Sequence, residues 1–166
     1  MKLLRETIRR ILIERSQGES PALAFLKDLG AQVDKYNVEY GTSHYFSIYH
    51  DNCIVTLSAE IPDEEDAYVH LGYLYVTNNE RKIDPKCFRK GYAGDLLQLV
   101  IDSADRHGVT LGLSAKSVYT PEYLQRKYGQ EIDTPDTEEL AKFYSRYGFE
   151  ETHRFSQQIF MERPCR

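Results

Sequence analysis

The first fifteen residues place Leu4, Ile8, Ile11 and Leu12 three and four apart, the spacing of one helix face. A second, short helix is expected next. Ser20 suits its N-cap, Pro21 its first turn and Gly30 its stop. The period then falls to two. Tyr36, Val38 and Tyr40 alternate with Asn37 and Glu39, and the runs 44–50, 53–61 and 68–76 are rich in aromatic and β-branched residues. Asp51-Asn52 reads as a tight turn, so three or four antiparallel strands in meander order are expected. From Gly91 the helical period returns. Ala93, Leu96, Leu97, Val100, Ile101 and Ala104 fall at steps of three and four, and Gly108 closes the pattern. Residues 109–114 read as a short buried strand. Residues 119–136 read as a loop with at least one helical turn, 137–147 as a helix capped by Gly148, and 149–161 as one or two last strands. This order predicts an α/β layered domain over 20–166, preceded by a basic amphipathic helix over 1–19.

Composition narrows the classes. A chain of 166 residues, 41% hydrophobic and 28% charged, suits one soluble domain. The apolar runs are too short to span a bilayer. A net charge of −5 argues against a generally basic nucleic-acid binder. The charge is uneven. Residues 1–15 hold five basic groups and two acidic ones, net +3, which leaves −8 for the remainder. That segment reads as a packing helix of the domain or as a helix lying on a partner or an anionic surface. It lacks the continuous apolar stretch of a secretory signal. The three cysteines, Cys53, Cys87 and Cys165, are odd in number and scattered. No disulfide framework is expected, and a reducing, cytoplasmic location follows. His44, His50 and His70 fall on separate strands without zinc-type spacing, so no metal is expected.

The chemistry concentrates in two stretches. Phe88-Arg89-Lys90-Gly91-Tyr92-Ala93-Gly94-Asp95-Leu96-Leu97 lies between a strand and an amphipathic helix. Its small residues let backbone N–H groups approach an anion, the helix adds its positive end, and Arg89 and Lys90 add cations. Such a turn suits a pyrophosphate, although glycines also serve plain tight turns. Some fifty residues on, Phe143-Tyr144 precedes Gly148-Phe149 across a helix end. Core packing by Phe143, Tyr147 and Phe149 is the alternative there.

In this order the two stretches resemble the GNAT N-acetyltransferase superfamily, over roughly residues 36–161. Gly91-Tyr92-Ala93 matches the end of that family's pyrophosphate loop, and Ile83-Asp84-Pro85-Lys86 its lead-in. Phe88 departs from the pattern, since the family carries Gln or Arg there. The resemblance implies a mixed, mostly antiparallel central sheet with helices on both faces. It implies acetyl-CoA as co-substrate and direct acetyl transfer to an amine acceptor. It places the pantetheine between two splayed strands, beside Leu74, Tyr75 and Val76. The pyrophosphate would lie on Arg89, Lys90, Gly91, Tyr92, Ala93 and Gly94. Tyr144 becomes the proton donor to the CoA sulfur, and Cys87 is not needed as a nucleophile. For the base, the resemblance implies a group on the strand before the pyrophosphate loop, six residues ahead of that strand's last apolar residue. Counting back from Val76 reaches His70, although a strand histidine satisfied by its neighbours is the alternative. Glu60 at the end of the strand before is the other candidate.

Other readings stay open. A non-catalytic module on the same fold would hold CoA or a protein partner without turnover. The stretch MKLLRETIRRILIE also resembles the N-terminal targeting segments of tailed-phage capsid proteins, which end at Leu/Ile-x-Glu, as Leu12-Ile13-Glu14 does. That likeness implies a phage source and a structural or host-interaction role. The tyrosine-rich insertion 119–136 reads as a lid over the acceptor or as a plain surface loop. The strand edge near 155–161 would allow a homodimer. Neither nucleic acid nor membrane is expected as a partner.

Overall fold

Ser20 accepts a hydrogen bond from the Leu23 amide at 3.2 Å and so starts α1, Pro21–Gln32, with Pro21 in its first turn. The computed structural model describes residues 18–62, 67–117, 119–129 and 131–166. The basic N-terminal helix, the capsid-like segment and the acidic residues 63–66 lie outside them. Gly30 does not stop α1, which runs two residues further. The glycine instead faces the Tyr36 ring, which a Cβ would meet at 2.9 Å.

Four strands follow as successive hairpins: β1 (Lys35–Glu39), β2 (Ser43–His50), β3 (Cys53–Glu60) and β4 (Tyr68–Asn78). After a 3-10 turn at Pro85–Cys87 comes α2, Tyr92–His107. Gly108, at φ +65, ends it in the left-handed region that a side chain would strain. β5 (Thr110–Ala115) returns parallel to β4, as a helical crossover allows. The expected loop at 119–136 contains α3, Pro121–Tyr128, capped by Thr120. Then come α4 (Thr137–Ser145), with a capping box between Asp136 and Glu139, and the hairpin β6 (Glu150–Phe155) and β7 (Gln158–Arg163).

The result is a mixed α/β fold around one seven-stranded sheet in the order β1-β2-β3-β4-β5-β7-β6. Only the β4–β5 pair is parallel. Registered neighbours across a sheet share a face. One face therefore carries Phe46, Leu57, Leu71, Leu113 and Met161, all buried. These residues join one core with Phe25 and Leu29 of α1, Leu97 and Ile101 of α2 and Ala141 of α4. Of the helices expected on both faces, α1, α2 and α4 lie over this apolar one. The other face carries Ser47, Thr56, Ser58, Glu60 and His70.

α1 and α2 are tied by one carboxylate. Asp28 Oδ2 accepts from Ser103 Oγ (2.8 Å), from Nη2 of Arg106 (2.8 Å) and from Nε2 of His107 (3.1 Å). On the far side of α2, Arg163 is almost fully buried and donates to both oxygens of Asp105.

The expectation of unpaired cysteines is corrected. Cys53 and Cys87 form a disulfide, which leaves Cys165 free and exposed. The pairing is nonlocal. The β2–β3 turn and the 3-10 turn lie side by side, where Asn52 accepts from the Asn79 amide at 3.0 Å. No described helix is long and apolar enough to cross a membrane.

Candidate active site

β4 does not stay paired along its length. Leu57 faces Leu74 and Ala59 faces Leu71, so Ser58 alone opposes Gly72 and Tyr73. This is a β-bulge with the extra residue in β4. Ser58 makes it workable. Its Oγ accepts the Tyr73 amide at 2.7 Å, a group the interrupted ladder no longer serves. A Cβ on Gly72 would collide with that same hydroxyl. A bulge bends its strand, and the consequence is visible on the other side of β4. Pairing with β5 covers Tyr68↔Thr110 to Leu71↔Leu113 and then stops. Beyond it Leu74, Tyr75 and Val76 pair with β3 alone. β5 turns instead to β7, where Ser114 faces Phe160. The two parallel strands thus open into a wedge at their C-terminal ends. That crevice is where open α/β sheets place ligands.

The start of α2 lies after the same end of β4. Gly91, its N-cap, holds φ +80 and supplies no side-chain cap. The first intrahelical bond runs from the Asp95 amide to Gly91 O at 3.1 Å. The amides of Tyr92, Ala93 and Gly94 therefore have no place in the helix ladder and are free to meet an incoming acceptor. Arg89, at φ +55, and Lys90 are exposed beside them. Gly94 has a further reason to lack a side chain, because a Cβ there would strike the Tyr147 hydroxyl. Tyr92 stacks on His50, with centroids 4.3 Å apart, and His50 Nε2 lies 3.5 Å from Asp95 Oδ2.

The residues expected to handle protons fall on the two faces. Glu60, His70 and Gly112 are registered neighbours in one row on the polar face. Glu60 is exposed and accepts from Ser43 Oγ at 2.6 Å. Gly112 is needed there, since a Cβ would overlap the Tyr68 hydroxyl. Tyr144 packs against the core on the helix side, edge-on to Phe143 and Phe149. Burial pushes its phenol up to about 12, so it stays protonated well above neutrality. The ring is held by the core.

A CoA-type group, with its amide-rich chain and diphosphate, needs unpaired strand edges and an anion cradle. The wedge and the α2 start supply both. Ser114 adds a third observation, for its Oγ is buried without a partner one residue past the last β4–β5 pair. Among the described residues no group of three His, Cys, Asp or Glu side chains gathers as a metal site would.

Sequence reasoning missed four features. The Ser58–Gly72 bulge could have been suspected from a glycine inside a strand pattern. Ser114 and the His50–Tyr92 stack left no sequence signal. The fourth is Asp133 of the insertion, which pairs with Arg89 at 2.7 Å, so that segment borders the proposed anion loop. Within it Tyr119 stacks on Tyr123, and Leu124 and Ile132 are buried.

No family profile matches the sequence, and no curated protein does. Three solved structures give the scale of likeness. A Desulfovibrio desulfuricans protein assigned to the GNAT family is 12% identical, with 76% of this chain and 71% of that one covered and a TM-score of 0.49. Naa50 of Arabidopsis thaliana, bound to the bisubstrate analogue CoA-Ac-MVNAL, is 16% identical over 83% of this chain and 89% of that one, at 0.45. Ard1 of Thermoplasma volcanium is 13% identical over 70% and 72%, at 0.43. Likeness at this level assigns neither family nor activity.

Proposed function

We propose that the protein is an N-acetyltransferase that moves an acetyl group from acetyl-CoA to an amine. The observation that carries this is the wedge: β4 parts from β5 beyond the Ser58–Gly72 bulge and opens toward the uncapped start of α2. The sequence resemblance supports it independently of that geometry.

The backbone of Leu74, Tyr75 and Val76 would pair with the pantetheine amides. The amides of Tyr92, Ala93 and Gly94, with Arg89 and Lys90, would hold the pyrophosphate. Several N–H bonds must share that work, because a helix dipole alone contributes only about 0.3–1 kcal/mol per charge. Acetyl-CoA supplies the acetyl group already activated as a thioester. An alkylamine titrates near ~10.4 and arrives protonated, so the chain must take a proton from it. His70 and Glu60, adjacent on the polar face, would accept it. Tyr144, protonated on the opposite side of the sheet, holds the proton that a departing thiolate needs. The 119–136 segment borders the site and helps select the acceptor in this proposal. The expected edge near 155–161 is mostly β7, which lies inside the sheet between β5 and β6; β6, exposed along its whole length at the edge, would receive a second copy instead.

Calorimetric titration with acetyl-CoA is the first test. Micromolar binding at about one site per chain supports the reading, and no binding at millimolar ligand ends it. Tyr144→Phe should then lower turnover about 100-fold at unchanged acetyl-CoA affinity, the usual scale for a lost proton donor. Binding without turnover on any amine would favour the non-catalytic module instead.

A further inference from the structure

We propose that the Cys53–Cys87 cystine is a redox latch on the turn that opens α2. The inference rests on the reading of that turn as an anion site and concerns what holds it in shape. Between Asn79 and Gly91 every residue is exposed or half-buried except Cys87, which is 3% exposed. The same stretch contains three left-handed residues: Arg81 at φ +60, Arg89 at +55 and Gly91 at +80. The two arginines sit where side chains are disfavoured, and such a backbone persists only when its surroundings fix it. Around Arg81 it is fixed by Asn78, whose Oδ1 accepts from the Glu80 and Lys82 amides at 3.0 Å and whose own amide donates to Lys82 O at 2.8 Å; around Arg89 less holds it. Asp84 caps the 3-10 turn through the Lys86 amide, Asn79 meets Asn52, and Arg89 meets Asp133. All of these contacts are exposed, and exposed pairs hold weakly. Among the described residues the cystine is the buried anchor of this stretch, and it ties the turn to the first residue of β3. Three residues before Cys53, on the far side of the same hairpin turn, His50 stacks on Tyr92. The hairpin tip thus grips the turn at two points, one of them covalent.

Reduction releases the covalent point. A dithiol gives two electrons and two protons to the S–S bond, two cysteine thiols form, and the dithiol becomes a disulfide. The turn then keeps its exposed contacts and the half-buried His50–Tyr92 stack, and the approach to the amides of Tyr92, Ala93 and Gly94 is held less firmly. A reducing compartment would keep the protein in this loose form, and oxidation would tighten it.

The test is peptide-resolved hydrogen exchange on the full chain, with and without dithiothreitol, and on the double variant Cys53→Ala/Cys87→Ala. Exchange should accelerate about tenfold over 79–95 in both, while β2 and the rest of β3 keep their protection. Unchanged exchange overturns the latch. So does acceleration spread evenly over the chain, which would make the cystine a general staple. Three reactive thiols that persist after treatment with oxidised glutathione would also overturn it. Acetyl-CoA titration of the same samples reads the functional half. Affinity about tenfold weaker without the cystine upholds it, by the measure that a disordered site pays for ordering on binding. Equal affinity in the two forms overturns it. Binding by neither form would sink the acetyl-transfer reading, while hydrogen exchange would still decide the latch.

Discussion

The seam between α1 and α2 and the gap between β4 and β5 treat polar groups in opposite ways. In the seam, one oxygen of Asp28 gathers donors from Ser103, Arg106 and His107. Nothing needs to enter there, and nothing is left over. In the gap, Ser114 Oγ is buried without a partner, Leu74 to Val76 pair on one side only, and the first amides of α2 are uncapped. Unpaired buried groups cost roughly 1–3 kcal/mol each, so a fold tolerates them where something else will complete them. Satisfaction marks scaffold, and its local failure marks the site.

That contrast can be broken in several places. The largest effect belongs beside the seam. Phe25 is fully buried, and Phe25→Ala should cost about 4 kcal/mol in urea unfolding without changing acetyl-CoA affinity in the folded fraction. Next comes acid. For Asp28, burial alone would raise its titration, but the donors from Arg106, Ser103 and His107 outweigh it and hold the carboxyl at about 2. A carboxylate whose folded value is depressed adds stability above its unfolded value, here 3.8, and loses it as pH falls toward about 2. About 2 kcal/mol should vanish over that window, and Asp28→Asn should flatten the acid limb. An acid limb unchanged by Asp28→Asn would mean the seam is not held as described. Smaller still is Ser58→Ala, which strands the Tyr73 amide. It should cost about 1 kcal/mol and weaken acetyl-CoA binding, because the bulge sets the gap. Smallest is Ser114→Ala. Removal of an unpartnered buried hydroxyl should not destabilise the protein, and by relieving its desolvation should stabilise it by up to about 1 kcal/mol, while still lowering acetyl-CoA affinity. A stability loss of the Ser58 kind would show that Ser114 belongs to the scaffold after all.

Most of the scaffold was legible because it is local. The period of two over 36–76 and the period of three and four after Gly91 report which side of each element meets the core, and the elements follow. The ends were legible where a single residue sets the backbone, as at Ser20 and Gly108. They were not where packing intervenes: Gly30 looked like a stop and is a landing place for Tyr36. The candidate site was legible in part for the same reason. The α2 turn is a local motif, and so is the Phe143-Tyr144 pair. The features that make the gap are contacts between distant residues. Ser58 meets Tyr73 across a hairpin, Cys53 meets Cys87 across β4, and Asp133 meets Arg89 across α2, β5 and α3. No spacing in the chain announces such meetings.

The sheet order also carries a consequence in time. β1 to β4 pair as nearest neighbours in the chain, each closing a short loop, whereas Tyr68 meets Thr110 only after the whole of α2 has intervened. Loop-closure entropy ranks the parallel junction behind the hairpins. The meander should therefore form first and the arm of β5, β7 and β6 dock onto it afterwards. The gap is then the last part of the molecule to come into being, and the chain has no binding site to offer until its folding is nearly complete.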